Sequence, residues 1–84
     1  MRIRVYGPLK QAVGTGDLSV EVPPKSALGE ILQKMIVGYP EIGFKTPQEI
    51  EDKYLFCVGS RVANLHVILA DGEDVCLLPF VDGG

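Results

Sequence analysis

VCLLPFVDGG, residues 75–84, joins an apolar strand pattern directly to a short, glycine-rich ending. Residues 75–78 are all apolar, as in a buried strand, and Pro79 lacks the N–H that a ladder needs, so strand pairing is predicted to stop there. Residues 80–84 are predicted to form a flexible tail that reaches at most about 16 to 18 Å from Pro79. A frayed chain end is the alternative, because a terminal Gly-Gly occurs by chance in roughly one chain in two hundred.

Two segments near the N-terminus supply strands that can pair in the same sheet. Residues 2–6, RIRVY, alternate polar and apolar with period two, and Leu18–Val22, LSVEV, does the same. Residues 9–17 contain two glycines and are predicted to be a long hairpin connection. Pro23 and Pro24 end the second strand, because neither can donate to a ladder.

One segment has a clear helical pattern. Its apolar residues recur at the i, i+3, i+4, i+7, i+8 spacing of a single helical face: Leu28, Ile31, Leu32, Met35 and Ile36. Ser26 is predicted to cap the N-terminus and Gly38 the C-terminus, which gives a helix over residues 27–37. Gly29, within it, is interpreted as a tolerated poor helix former, and a close approach of the helix to the sheet is the alternative.

The second half of the chain contains weaker signals around one strong strand. Thr46-Pro47-Gln48-Glu49 has a capping-box pattern, which predicts a short helix over residues 47–52. Tyr54–Val58 is almost entirely apolar, as expected of a strand that is covered on both faces or lies at the sheet centre. Residues 62–69 are predicted to contain a short edge strand.

The order of these elements predicts an α+β fold in which one main helix crosses a mixed sheet. The first and last strands would lie side by side and parallel at the sheet centre, which is the β-grasp arrangement. We expect residues 1–84 to form a single domain, since no repeat or low-complexity tract divides them. A chain of 84 residues has little material for a buried active site, which argues against a self-contained enzyme.

Composition and charge exclude several classes of partner. The net charge is -3, and the 8 Lys and Arg residues are scattered from Arg2 to Arg61, so no nucleic acid is expected to bind. No apolar run approaches the roughly 18 residues of a membrane span, and residues 1–4 do not lead into a signal peptide, so a cytoplasmic location is expected. After Arg61 the chain has no Lys or Arg but several carboxylates: Asp71, Glu73, Asp74 and Asp82. This segment is either a negative face that a basic partner would recognise or an ordinary acidic surface.

The chain offers few residues for redox or metal chemistry. Cys57 and Cys76 have no close partners of the kind that hold zinc or an iron–sulfur cluster, so no metal site is predicted. Reduced core cysteines are the favoured interpretation, and a disulfide or a catalytic thiol is the alternative. His66 is the sole histidine and is interpreted as structural or on the surface.

Three places in the chain resemble the ubiquitin-like sulfur carriers, above all the small subunit of molybdopterin synthase. VYGPLK, residues 5–10, is similar to the first strand of that family and the stretch that follows it. The helical segment 28–35 is similar to its helix. Residues 69–75, LADGEDV, and residues 78–84, LPFVDGG, are similar to its characteristic ending.

The resemblance implies that the terminal carboxyl of Gly84 is the reacting group. In such carriers an E1-like activating enzyme, which supplies ATP and Mg, joins this carboxyl to AMP, and sulfur then displaces AMP to leave a thiocarboxylate. The chain would bind no cofactor itself and would be the non-catalytic small subunit, donating sulfur for molybdopterin within a complex with the synthase large subunit. Modification of protein lysines, sulfur delivery to thiamine or transfer RNA, and an inert interaction module are the alternatives.

The tail residues have separate expected roles. Gly83 and Gly84 lack a Cβ, which suits threading through a narrow channel. Phe80 and Val81, with Leu9, would form an exposed apolar cluster that anchors a partner, although Phe80 and Val81 could instead complete the core. Asp82, together with the acidic residues of the 71–73 turn, would set the orientation of docking.

Overall fold

The computed structural model describes residues 1–70 and 72–80. In chain order their elements are β1 (Arg2–Val5), α1 (Pro8–Val13), β2 (Asp17–Ser19), α2 (Leu28–Gly38), a 3₁₀ helix (Pro40–Ile42), α3 (Pro47–Glu51), β3 (Tyr54–Val58), β4 (Arg61–Ala63) and β5 (Val75–Pro79).

The five strands form one mixed sheet in the order β2-β1-β5-β3-β4. β1 and β5 run parallel, with Ile3 opposite Val75, and β5 pairs antiparallel with β3, with Leu77 opposite Phe56. The remaining two pairs are antiparallel hairpins at the edges. The predicted parallel pairing of the first and last strands is therefore confirmed, and β5 is the central strand.

Helix α2 covers one face of this sheet, as the apolar spacing predicted. Its residues Leu28, Ile31, Leu32 and Met35 are fully buried. They pack in one core with the inward-facing strand residues, which are Ile3, Val5, Leu18, Tyr54, Phe56, Val58, Val75 and Leu77. Each such aliphatic side chain contributes about 1.5–3 kcal/mol through burial. The opposite face of the sheet carries only half-buried and exposed side chains, so β3 is internal in the sheet but is not fully covered on both faces.

The N-terminus of α2 is capped by backbone groups rather than by a side chain. The predicted cap, Ser26, instead donates its hydroxyl to the carbonyl of Pro23 at 2.6 Å, and Ala27 occupies the N-cap position. The free helical N–H groups of Leu28 and Gly29 donate to loop carbonyls of residues 67 and 65, at 2.8 and 2.9 Å. These bonds satisfy donors that a helix end otherwise leaves open, so no side-chain cap is needed.

Gly29 allows this close approach, and the interpretation of it as merely tolerated is wrong. A Cβ at Gly29 would lie 3.3 Å from the carbonyl oxygen of Leu65. The contact is with the loop that follows β4 rather than with the sheet. At the other end, Gly38 is the last helical residue and Tyr39 takes the C-cap position, donating its N–H to the carbonyl of Met35 at 2.9 Å.

The predicted hairpin connection over residues 9–17 contains a helix instead. Helix α1 begins with Pro8, a favourable first residue, and ends at Gly14, whose φ of 81° is left-handed. A six-residue helix with one fully buried side chain has no apolar period that sequence analysis could detect. Strand β2 is correspondingly shorter than predicted, although the N–H of Val20 still donates to the carbonyl of Met1 at 3.0 Å.

The second half of the chain follows the prediction closely. Thr46 accepts the N–H of Glu49 at 3.4 Å and begins α3, and β4 is the expected short edge strand. Within residues 1–70 and 72–80, none of the helices is long and apolar enough to cross a membrane.

Candidate functional site at the end of the central strand

The chain leaves the sheet at the carboxyl end of β5. Pro79 lies opposite Tyr54 in the register of β5 with β3. The next N–H, that of Phe80, donates to the carbonyl of Lys53 at 3.1 Å. Pairing therefore continues one residue past the predicted stop at Pro79. Four predicted site residues come after this point and lie outside the described residues: Val81, Asp82, Gly83 and Gly84.

Gly7 fixes the position of Pro79. It has φ 64° and ψ -138°, a backbone conformation that only glycine adopts readily. A Cβ at Gly7 would lie 2.9 Å from Cγ of Pro79, closer than two carbon atoms approach without displacement. The turn between β1 and α1 is thus packed directly against the end of the central strand.

An open groove of about 590 Å³ lies beside this exit. Its lining comes from four separate segments of the chain: Pro8, Leu9, Ile42, Phe44, Asp52, Lys53, Tyr54, Pro79 and Phe80. Most of these side chains are apolar, while Asp52 and Lys53 place one charge of each sign at its edge. The groove suits an apolar segment of a partner with polar groups at its rim.

Tyr54 holds the floor of the groove in place. Its hydroxyl oxygen accepts the buried N–H of Leu9 at 3.2 Å, so it satisfies one of the open donors at the start of α1. Its ring meets Phe44 edge to face, with centroids 6.2 Å apart and planes at 88°. Such an arrangement is favourable for two aromatic rings. The floor is therefore fixed by both a hydrogen bond and ring packing.

Phe80 and Leu9 have different environments, although both were predicted to be exposed. The side chain of Phe80 is 53% exposed, so it does not complete the core. Leu9 is only 2% exposed and belongs to the core. The prediction of an exposed Leu9 is wrong, because helix α1 turns this residue inward beneath the groove. An exposed apolar residue at the strand exit is compatible with docking of a partner.

The acidic turn before β5 lies at the opposite end of the strand from the exit. Glu73 is not a free charge, because its carboxylate binds Arg61 Nη2 at 3.0 Å and accepts the N–H of Ala70 at 2.8 Å. Asp74 is exposed, and Asp71 lies outside the described residues. The expected uniformly negative face is therefore interrupted by Arg61, and Glu73 stabilises the turn rather than facing the groove.

The cysteines and the histidine lie away from the groove. Cys57 and Cys76 are free and half-buried, and they lie opposite each other on β3 and β5. Both are on the open face of the sheet, which is the face opposite α2, rather than in the core. His66 is exposed, as expected of a surface residue. Among residues 1–70 and 72–80, no group of three or more His, Cys, Asp and Glu side chains could hold a metal ion.

The predicted site includes the strand exit but neither Gly7 nor Tyr54, whose contacts position it. No pattern in the neighbouring sequence indicates either role, because both roles depend on contacts with residues more than 40 positions away in the chain.

Comparison with solved structures identifies the fold. SAMP1 from Haloferax volcanii superimposes with a TM-score of 0.80 at 19% identity, over 99% of this chain and 97% of that one. A putative molybdopterin converting factor subunit 1 from Pyrococcus furiosus gives 0.76 at 16%, over 95% of both chains. A chain in the complex of subunits 1 and 2 of molybdopterin-converting factor from Helicobacter pylori 26695 gives 0.60 at 20%, over 99% and 96%.

No family model and no curated protein matches this sequence. The structural likeness covers nearly the whole chain, and the chain has the β-grasp fold. The predicted β-grasp fold is confirmed, and the chain is similar in fold to SAMP1 and to molybdopterin converting factor subunit 1.

Proposed function

We propose that this protein is a ubiquitin-like sulfur carrier whose Gly84 carboxyl is converted to a thiocarboxylate that donates sulfur in molybdopterin synthesis. The proposal requires Gly84 to be the carboxyl terminus of the mature protein. An E1-like activating enzyme would supply ATP, Mg and the acid–base groups, and a larger synthase subunit would supply the sulfur acceptor. The chain itself would contribute the reacting carbonyl carbon and no catalytic side chain.

The observation that supports this proposal most strongly is the position of β5. It is the central strand, and it leads out of the sheet at Phe80 with residues 81–84 following. A central strand is held by neighbours on both sides, so the start of the tail has a fixed position and direction. A reacting group carried a few residues beyond it can be presented to a partner without rearrangement of the core.

The chemistry explains why the terminus needs partners. A terminal carboxyl has a pKa of about 3.5 in the absence of perturbation, so at neutral pH it is an anion and a poor electrophile. One carboxylate oxygen would attack the α-phosphorus of ATP and release pyrophosphate. Hydrosulfide would then attack the acyl carbon and release AMP and a proton, leaving a thiocarboxylate in which sulfur replaces one oxygen.

The same terminus would also serve a protein modifier. The likeness to SAMP1, a small archaeal modifier protein, favours this second function. A carrier for the synthase would co-purify with one larger subunit, whereas a modifier would produce a ladder of conjugates joined to lysines. Isolation of a tagged form from its own cells therefore distinguishes the two.

Intact-mass spectrometry tests the shared first steps. The purified protein is incubated with ATP, a sulfur donor and the activating enzyme from the same organism, and we expect one oxygen to be replaced by one sulfur at Gly84. Deletion of Gly84 should abolish the change. An unchanged mass in the presence of an enzyme that adenylates its other substrates would contradict the proposal and favour an inert β-grasp module.

A pair of exposed apolar residues tests the role of the exit. Phe80→Ala removes a side chain that is 53% exposed beside the groove, and Val62→Ala removes one that is 69% exposed on edge strand β4. We expect Phe80→Ala to slow adenylation by raising the KM for the carrier, while Val62→Ala does not. Equal effects of the two variants would show that the groove is not the docking surface.

A further inference from the structure

A row of side chains crosses the open face of the sheet at the level of the two cysteines. In the strand registers, Arg4 lies opposite Asp17 on one side and Cys76 on the other, and Cys76 lies opposite Cys57. Directly opposed residues in a sheet project from the same face. The two thiols are therefore neighbours, although 18 residues separate them in the sequence.

The hydrogen-bonding pattern defines the geometry of the pair. Phe80 donates its N–H to the carbonyl of Lys53, the residue directly opposite, so these two form a hydrogen-bonded pair. Bonded and non-bonded pairs alternate along an antiparallel ladder. Cys57 and Cys76 lie four positions from that pair and are therefore a bonded pair as well, with Cα atoms about 5.5 Å apart.

This spacing permits a disulfide between Cys57 and Cys76, but one with strained geometry. Disulfides usually have Cα atoms about 4.4–6.8 Å apart, which includes the expected separation. Their Cβ atoms lie about 3.5–4.5 Å apart, whereas opposed residues in a bonded pair lie near the upper end of about 4.5–5.5 Å. The bridge would therefore draw the Cβ atoms together by about 1 Å, and the resulting strain makes a disulfide easier to reduce.

Neither cysteine is fully buried. Cys57 and Cys76 are each half-buried on a sheet face that none of the described helices covers. Arg4, opposite Cys76, is exposed and lies 3.8 Å from Asp17, whose single carboxylate it shares with Arg2 at 3.2 Å, so the local charge is positive. A small anionic disulfide such as glutathione disulfide is thus attracted to the pair rather than repelled.

We propose that Cys57 and Cys76 form a reversible, readily reduced disulfide by exchange with a low-molecular-weight disulfide. One protein thiol, as its thiolate, attacks a sulfur of glutathione disulfide, breaks that S–S bond and releases one glutathione. The facing cysteine then attacks the mixed disulfide, forms the protein S–S bond and releases the second glutathione. The protein loses two electrons and two protons, and the glutathione disulfide gains them.

The bridge would join the two strands that define the exit. Strand β3 supplies Tyr54 to the groove, and β5 supplies Pro79. A bond between Cys57 and Cys76 would add a covalent link between these paired strands four residues before Phe80. This inference needs neither Gly84 nor an activating enzyme, so it stands or falls separately from the proposed function.

Titration with glutathione disulfide tests the proposal on the purified full chain. Intact-mass spectrometry should show the loss of two hydrogen atoms and of both free thiols, without retained glutathione, and proteolysis should give one linked pair of peptides containing Cys57 and Cys76. Excess reduced glutathione should restore both thiols. Cys57→Ser and Cys76→Ser are matched controls, and each should instead retain one glutathione.

Several outcomes would overturn it. Two retained glutathiones on the wild-type chain, a disulfide-linked dimer, or no reaction would each show that the facing thiols do not join. A bridge that forms but survives a large excess of reduced glutathione would show that it is not strained.

Discussion

Replacement of Gly7 by alanine tests how the exit of the central strand is positioned. Two independent costs arise. The backbone at φ 64° and ψ -138° is close to a region used almost only by glycine, and forcing another residue into such a conformation costs about 1–3 kcal/mol. The new Cβ would lie 2.9 Å from Cγ of Pro79, and overpacking of this kind costs about 1–3 kcal/mol. We expect Gly7→Ala to lower the free energy of unfolding by about 3 kcal/mol in total.

Gly14→Ala is the matched control. Gly14 has φ 81° and ψ 4°, and no atom lies within 4 Å of its Cβ position, so only the backbone cost of about 1 kcal/mol applies. The measurement is the free energy of unfolding from urea denaturation. For a domain of this size, a change of 1 kcal/mol in the free energy of unfolding shifts Tm by about 4–8 °C. The Tm values of Gly7→Ala and Gly14→Ala should therefore differ by roughly 10 °C.

The double variant Gly7→Ala/Pro79→Ala separates the two costs. Alanine at position 79 removes Cγ and leaves Cβ, which is 3.5 Å from the added carbon. The double variant should therefore be more stable than the sum of the single effects predicts, by about 1 kcal/mol or more. Strict additivity, or a Gly7→Ala loss no larger than that of Gly14→Ala, would refute the contact as the cause.

Four further substitutions test other parts of the fold, each by urea denaturation. Thr46→Ala removes the side-chain cap of α3 and should cost about 1 kcal/mol; no loss would show that the 3.4 Å bond contributes nothing. Tyr54→Phe leaves a buried N–H of α1 without its acceptor and should cost about 1–3 kcal/mol with the ring packing unchanged; a neutral effect would mean that water replaces the hydroxyl. Gly38→Ala adds a Cβ in open space and should raise the free energy of unfolding by about 0.5–1 kcal/mol. Gly29→Ala should raise it less, or lower it, because the added Cβ would lie against a loop carbonyl. Equal increases for the two variants would refute the close approach at Gly29.

The parts of the fold that the sequence predicted are those with a signal confined to one segment. Helix α2 has an apolar period over two and a half turns, α3 has its Thr-Pro cap, and β3 and β5 are short apolar runs between turn residues. Each pattern reflects burial on one side of a regular element. These elements were found within one or two residues of their observed bounds.

The missed features depend on contacts between distant segments. Helix α1 is too short to have an apolar period, and its first turn is hydrogen-bonded through Leu9 to Tyr54, 45 residues away. The N-terminus of α2 is capped by carbonyls of residues 65 and 67, a partner that no local rule anticipates. The acidic turn near Glu73 is close to the strand exit in sequence but separated from it by the full length of β5. Proximity in the chain was therefore a poor guide to proximity at the site.

The construction of the exit bears on how a partner would bind there. Gly7 packs against Pro79, Phe80 is bonded to Lys53, and Tyr54 joins α1 to β3, so each wall of the groove is fixed by a contact to another element. A surface that is already ordered loses little conformational entropy on binding, and more of the contact energy then appears as affinity. Glycine at positions 83 and 84 can adopt backbone conformations that other residues adopt only at a cost. We therefore expect alanine at either position to change recognition by a partner far more than it changes the free energy of unfolding of the domain.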